Sequence, residues 1–332
     1  MANLRAGVLG LGIGKQHALA YQHHPNVDLV AICDTNTQLM ADFCAEKRLD
    51  VHRYGSYADM LRREHLDIVS VCTPDHLHVD HLLPALEAGC HVMQEKPLAT
   101  SMEDACRMVD AVDRSGKMVM LNHIYRQDPM FREAERLCTT GGLGTLLYLE
   151  SDFLSNKHRQ YDAAPWHKHE PSVRHPLVGT GCHNVDLLRA MAGDIDEVEA
   201  MGSNLAYPGY AADDIFVAMM HFKNGAIGKV AISYSGVRPK GEPCPTLQVL
   251  GSKGAIKNNR LYIGAEQEGP WETLTTETPV PLLRTSIGRF IECVLTGQQP
   301  KINVHDGARN LAVCLAGVES RKTGKAVRPL QV

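Results

Sequence analysis

A short apolar run, Ala6-Gly7-Val8-Leu9, breaks into Gly10-Leu11-Gly12-Ile13-Gly14 and then into a helical pattern over 15–24. A strand, a glycine turn and a helix in that order leave few folds open to the chain. The glycines permit a tight turn and close approach of a phosphate to the backbone, and the first N–H groups of the helix favour negative charge. The third glycine arrives one position earlier than the GxGxxG spacing requires. The second strand, 29–33, closes on Asp34, about twenty residues on, where a carboxylate can accept hydrogen bonds from a ribose 2′-hydroxyl and repel a 2′-phosphate. Thr35 and Asn36 follow with no arginine, so NAD is expected over NADP.

Strand and helix patterns go on alternating to residue 121. A helix is expected over 38–47, a strand over 67–72, a helix over 78–88, a strand over 91–93, and a helix over 101–115 capped by Ser101 or Thr100 and stopped by Gly116. The run 117–121 closes the unit. Continuous apolar strands between helices imply a doubly wound parallel sheet covered on both faces, so residues 1–121 are expected to form an α/β Rossmann domain that binds a dinucleotide. After Asn122 the pattern changes. A helix over 129–138 ends at Gly141-Gly142, and extended stretches follow at 145–153, 197–203, 215–222, 227–234 and 246–250, with Asn224-Gly225 as a hairpin turn. Residues 122–332 are expected to form an α+β domain on a large, mostly antiparallel open sheet. The polar, unpatterned stretch 154–178 has a length more often found in functional loops.

A net charge of -4 and 5% aromatic residues argue against nucleic-acid or anionic-membrane partners. No run approaches the roughly 20 apolar residues that span a bilayer, and the N-terminal stretch has no secretory cleavage pattern. Ten cysteines occur without a CxxC pair, which fits reduced thiols in a cytoplasmic protein rather than a disulfide framework.

The chemistry-bearing stretches lie at the carboxyl ends of strands, where doubly wound folds bind ligands. Cys72-Thr73-Pro74-Asp75-His76-Leu77-His78 follows the third clear strand, and Glu95-Lys96-Pro97 follows the run His91-Val92-Met93. A lysine ammonium there can hydrogen-bond a substrate hydroxyl and stabilise the charge that grows as a carbon–hydrogen bond gives up hydride. The candidate cofactor contacts in the glycine turn and after the second strand are Gly10, Gly12, Ile13, Gly14, Asp34 and Thr35. Further along they are Cys72, Thr73, Pro74, His78, Glu95, Lys96 and Asn122.

These stretches together resemble the Gfo/Idh/MocA group of NAD(P)-dependent oxidoreductases, which includes inositol and sugar dehydrogenases. The matching residues are Gly10 and Gly12 with His17, Asp34, Asp67-Ile68-Val69 through Thr73-Pro74 with His78, Gly89-Cys90-His91-Val92 and Glu95-Lys96-Pro97. In the second domain they are Arg126 with Pro129, and His183-Asn184-Val185-Asp186. The resemblance covers nearly the whole chain. It implies a second domain whose open sheet joins a homodimer or homotetramer, and a cis Lys96–Pro97 peptide. It also implies oxidation of a secondary hydroxyl of a polyol, sugar or glycoside, with Lys96 and His183 as the catalytic residues. His183 would be the base, since imidazole titrates near neutrality. Substrate contacts would come from Lys96, Tyr125, Arg126, Trp166, Thr180 and His183.

Two departures stand out. Many members of the group carry an aspartate four residues before this histidine, and here the position is Gly179; either His183 works without an acidic partner, or Asp152 or Asp162 takes over that role. The usual glycine pair ahead of the segment is Arg174-His175, which would make the pocket floor basic. His158, His167, His169, His175 and His183 lack the spacing of a metal site, so no metal is expected. Two rivals to the dehydrogenase remain: redox-neutral glycoside cleavage on a retained NAD, and a non-catalytic sugar or NAD sensor. Retention of both Lys96 and His183 weighs against the sensor.

Overall fold

The structure is a computed structural model, which describes residues 3–332 apart from Pro165, Trp166, 169–172, Lys240, Glu242 and 265–268. By internal contacts the chain divides into two units, Met1–Ile124 with Pro281–Ala308, and Tyr125–Val280 with Arg309–Val332. The sequence reading places one boundary after residue 121. The structure instead groups Pro281–Ala308 with the first unit, through contacts distant in sequence that no local pattern encodes.

In the first unit, six strands form a fully parallel sheet: β1 (Leu4–Leu9), β2 (Val27–Cys33), β3 (His52–Tyr54), β4 (Ile68–Val71), β5 (His91–Gln94) and β6 (Val119–Leu121). Their order is β3-β2-β1-β4-β5-β6, which places the topological switch point between β1 and β4. The connecting helices are α1 (Gly14–Gln22), α2 (Thr37–Lys47), α3 (Tyr57–Glu64), α4 (His78–Glu87) and α5 (Met102–Ser115). Side-chain caps fix three of their starts: Asn36 accepts from Leu39 N–H at 2.9 Å, Ser56 from Asp59 N–H at 3.3 Å and Ser101 from Asp104 N–H at 3.1 Å. Gly116, at φ 66°, ends α5 in the left-handed conformation.

The strand β3 and helix α3 are additions to the sequence reading. Only Met60 and Glu64 of α3 are buried, so its apolar stripe is faint. Glu64 joins the neighbouring elements, taking Arg5 Nη2 at 3.2 Å, His52 Nδ1 at 2.6 Å and the Tyr54 hydroxyl at 2.6 Å. A buried carboxylate of this kind is invisible to a hydrophobic pattern.

The second unit contains α6 (Pro129–Thr139), β7 (Leu146–Leu154), the short helix α7 (His158–Asp162), a π-helical turn over Leu177–Gly181, and α8 (Cys182–Ala192). Seven further strands follow: β8 (Ile195–Ser203), β9 (Ile215–Phe222), β10 (Ile227–Ser233), β11 (Gln248–Gly251), β12 (Gly254–Lys257), β13 (Arg260–Ile263) and β14 (Glu272–Thr273). They join β7 in a sheet of order β14-β13-β12-β11-β7-β10-β9-β8, antiparallel except at β7–β10. Asn224-Gly225 forms the β9–β10 turn, with Gly225 at φ 90°. The chain ends in α9 (Leu282–Thr296), which packs on α1 within the first unit, and α10 (Val304–Thr323).

The π turn and α8 cover one face of the eight-stranded sheet. On the other face Met201, Met219, Ile227 and Leu250 are exposed. Among them Lys229 Nζ lies 2.8 Å from Asp152 Oδ2 and 3.3 Å from Glu150 Oε1. Among the described residues, no helix is long and apolar enough to cross a membrane.

Candidate functional site

The three glycines of the first turn have three separate reasons to be glycine. Gly10 sits at φ 85°, and a Cβ there would lie 2.6 Å from the Cys72 carbonyl oxygen. At Gly14 a Cβ would press on Val8 Cγ1 at 3.0 Å and Cys72 Cβ at 3.3 Å, so this glycine lets α1 pack closely on the sheet. At Gly12 a Cβ would meet nothing within 4 Å. That is the position where backbone must stay open to a pyrophosphate. The early third glycine therefore still fills the helix-packing role.

Asp34 ties this turn to the end of β2: its Oδ2 accepts from Leu11 N–H at 2.7 Å and its Oδ1 from Asn36 N–H at 2.8 Å. A carboxylate has about four lone-pair sites, so two amides leave capacity for ribose hydroxyls. Ile13 and Thr35 are exposed beside the turn. The open Gly12, the uncapped start of α1 and the half-buried Asp34 fit a dinucleotide.

Glu95 sits at the carboxyl end of β5 inside a buried network. Its Oε1 lies 3.1 Å from His17 Nε2 and accepts from Asn122 Nδ2 at 2.6 Å, while Oε2 accepts from Lys96 N–H at 3.2 Å. His17 Nδ1 lies 3.0 Å from Ser70 Oγ, which the Tyr21 hydroxyl meets at 2.8 Å. Burial alone would raise the Glu95 carboxyl, but the hydrogen bond and charge of His17, the charge of Lys96 and the Asn122 amide outweigh it and hold the pKa at about 2. Glu95 is thus an ionised anchor for the turn that carries Lys96. The Lys96–Pro97 peptide is cis.

His78 is 1% exposed and bridges two loops, with Nδ1 2.7 Å from the Pro97 carbonyl and Nε2 3.1 Å from the Thr73 carbonyl. Burial pushes its pKa down, outweighing Asp75 and the two carbonyls. His78, Glu95 and Asn122, expected as cofactor contacts, turn their side chains to the protein and brace the loops. Ser70 and Tyr21 were missed by sequence reasoning; the only signal was a serine within an apolar strand.

In the second unit, the π turn leads directly into α8, whose first turn carries His183. The imidazole is 7% exposed and meets the Tyr125 ring edge-on at 5.0 Å. Asn184 donates to Ser151 Oγ at 2.8 Å, and Asp186 accepts from Asn310 Nδ2 at 3.0 Å. The residues flanking His183 therefore anchor α8 to β7 and α10. Tyr125 also packs against Phe131 and Phe153, each at 6.3 Å, and burial, with the charges of Cys244 and Asp128, pushes its hydroxyl up to about 12. Arg126 pairs within this unit, Nη2 with Glu135 at 3.5 Å and Nε with Asp186 at 4.0 Å. The Thr180 hydroxyl lies 2.8 Å from the Tyr234 hydroxyl.

Several expectations need correction. Asp152 does not take over for an acid at position 179: it is set in β7, where its carboxylate holds Lys229 Nζ at 2.8 Å and Ala231 N–H at 2.9 Å. Asp162 is likewise engaged, by Lys168 Nζ at 2.9 Å and the Tyr207 hydroxyl at 3.4 Å. Of the Arg174-His175 pair, the histidine adds little charge, because burial and the charges of Lys322 and Arg321 push its pKa down to about 4. Among the described residues of 154–178, Tyr161 stacks on His167 at 4.4 Å and His158 on Tyr207 at 3.9 Å, contacts its polar composition does not announce. Trp166 and His169 lie outside the described residues. Among the described residues no histidine, cysteine, aspartate and glutamate cluster could hold a metal.

Comparison with known proteins places this geometry. Residues 4–123 match the model of the GFO_IDH_MocA oxidoreductase family, NAD-binding Rossmann fold, and residues 131–257 match the GFO/IDH/MocA C-terminal domain. The chain is 25% identical to scyllo-inositol 2-dehydrogenase (NAD(+)) of Bacillus subtilis, over 98% of this chain and 96% of that one. It is 23% identical to D-apiose dehydrogenase of Paraburkholderia graminis, over 97% and 89%. Among solved structures, WlbA dehydrogenase from Bordetella pertussis, in complex with NADH and UDP-GlcNAcA, is 27% identical with a TM-score of 0.85, over 99% of each chain.

Proposed function

The chain belongs to the Gfo/Idh/MocA family of oxidoreductases, and from that premise we propose that it is an NAD-dependent dehydrogenase of a secondary hydroxyl on a sugar or polyol. The observation that carries this reading is the buried Glu95 anchor. It fixes the turn bearing Lys96 at the end of β5, in the same unit as an open glycine turn at the switch point. Bound NAD would supply the hydride acceptor. Lys96 would donate a hydrogen bond to the substrate oxygen and stabilise its growing negative charge. His183 would take the hydroxyl proton. Preference for NAD over NADP rests on Asp34, whose carboxylate repels a 2′-phosphate. Names of relatives such as scyllo-inositol 2-dehydrogenase and D-apiose dehydrogenase support a polyhydroxylated substrate.

The exposed Met201, Met219, Ile227 and Leu250 around Lys229 support a homodimer or homotetramer formed through the eight-stranded sheet. All ten cysteines are free thiols, which supports residence in the reducing cytoplasm. The test is NADH formation across a panel of inositols, aldoses, uronates and glycosides, run with NAD and NADP in parallel. Net reduction of NAD by one substrate class is the expected result. Release of an aglycone without NADH, or tight NAD binding with no turnover of any panel member, would overturn it.

A further inference from the structure

Arg174 and Gly179 fit one another. A Cβ at Gly179 would overlap Arg174 Cγ and lie 2.5 Å from its Cδ and 3.4 Å from its Nε. The arginine stem therefore lies across the glycine, with the start of its guanidinium at the same place. Its backbone is fixed at both ends: Arg174 N–H donates to the His167 carbonyl at 2.9 Å, and its own carbonyl accepts the Tyr210 hydroxyl. Tyr210 is held in turn by Tyr207 at 5.3 Å and by Tyr161 and Tyr234 at 6.0 Å each. Tyr234 also reaches Thr180, so one aromatic cluster braces both Arg174 and the turn it crosses.

Gly179 precedes His183 by four residues, from the π turn into the first turn of α8, which is about one helical turn along the same axis. A guanidinium held over position 179 is thus one turn from the proposed base. Guanidinium is a planar, permanently charged donor that matches a carboxylate with two parallel hydrogen bonds. We propose that Arg174 is a specificity-determining residue that binds the carboxylate of an acidic sugar, a uronic or aldonic acid. This rests on the dehydrogenase reading for its location beside the reacting carbon. Gly179 is the partner that makes room for it.

The test is calorimetric titration of the NADH-bound enzyme with glucuronate, galacturonate and gluconate against glucose, galactose and sorbitol. At least one acid should bind about 10- to 100-fold more tightly than its neutral counterpart, the effect of a charged bidentate pair. Arg174→Ala should abolish that preference, while Arg174→Lys retains part of it. Gly179→Ala should lower the melting temperature in the parent and much less in the Arg174→Ala background. Equal binding of acids and neutral sugars by the parent, or a preference that survives Arg174→Ala, overturns the proposal. The two readings fail separately. Arg174-dependent acid binding without NADH formation would remove the dehydrogenase alone, and oxidation of neutral polyols by an enzyme that binds the acids no more tightly would remove the acid site alone.

Discussion

Gly10 and Gly12 stand two residues apart and predict opposite outcomes. Gly10→Ala puts a side chain at φ 85° and against the Cys72 carbonyl. Backbone strain alone should destabilise it by about 1–3 kcal/mol, readable as a lower melting temperature. Gly12→Ala meets no atom, so the melting temperature should hold while NAD binding weakens about tenfold, the effect of ~1.4 kcal/mol. His175 gives a pH prediction. Its native pKa of about 4 lies below the unfolded value near 6.5. Between those values the unfolded chain binds a proton that the folded chain does not, so stability should fall as the pH drops from about 6.5 towards 4. His175→Phe, which can keep the contact with Phe216, should flatten that slope in melting curves. The Glu95 carboxyl has a pKa depressed from about 4.5 to about 2, so its contribution is fully present above the unfolded value and is lost as the pH falls from there towards 2.

The β5 turn shows how an element can be legible while its support is not. Glu95-Lys96-Pro97 stands out in sequence because a charged pair and a proline end an apolar run. The atoms that hold it come from His17 in α1, Asn122 after β6 and Ser70 in β4; these are far apart in sequence and meet only in three dimensions. Glu95→Gln should therefore cut turnover by up to about 100-fold through misplacement of Lys96, with kcat affected more than KM in steady-state kinetics. The second unit divides in the same way. His183 and its spacing were readable, and α8 carries them. The Arg174 stem over Gly179 was not, because two departures five residues apart give no sign that they share one space. Asp152, a candidate to replace the missing acid, belongs to Lys229 because strand alternation turns it to the other face of the sheet.

For the whole molecule, alternation of apolar strands with helices sufficed to expect a doubly wound domain followed by an antiparallel one. It could not show Pro281–Ala308 returning to the first unit, since α9 gives only an amphipathic pattern and its partner α1 lies more than two hundred residues earlier. The short strands β12–β14 escaped for a related reason, being too brief to display alternation. If the open sheet face joins two copies, light scattering should give two or four times the chain mass, and Met219→Arg should reduce it to one. Lys96 is proposed to act on the reacting oxygen and not in holding the cofactor. This role is tested most directly by single-turnover hydride transfer in Lys96→Met beside NADH affinity measured by fluorescence titration. The account predicts transfer slowed about 100- to 1,000-fold with NADH affinity within a factor of about two. Undiminished transfer, or a loss explained wholly by weaker NADH binding, would contradict it.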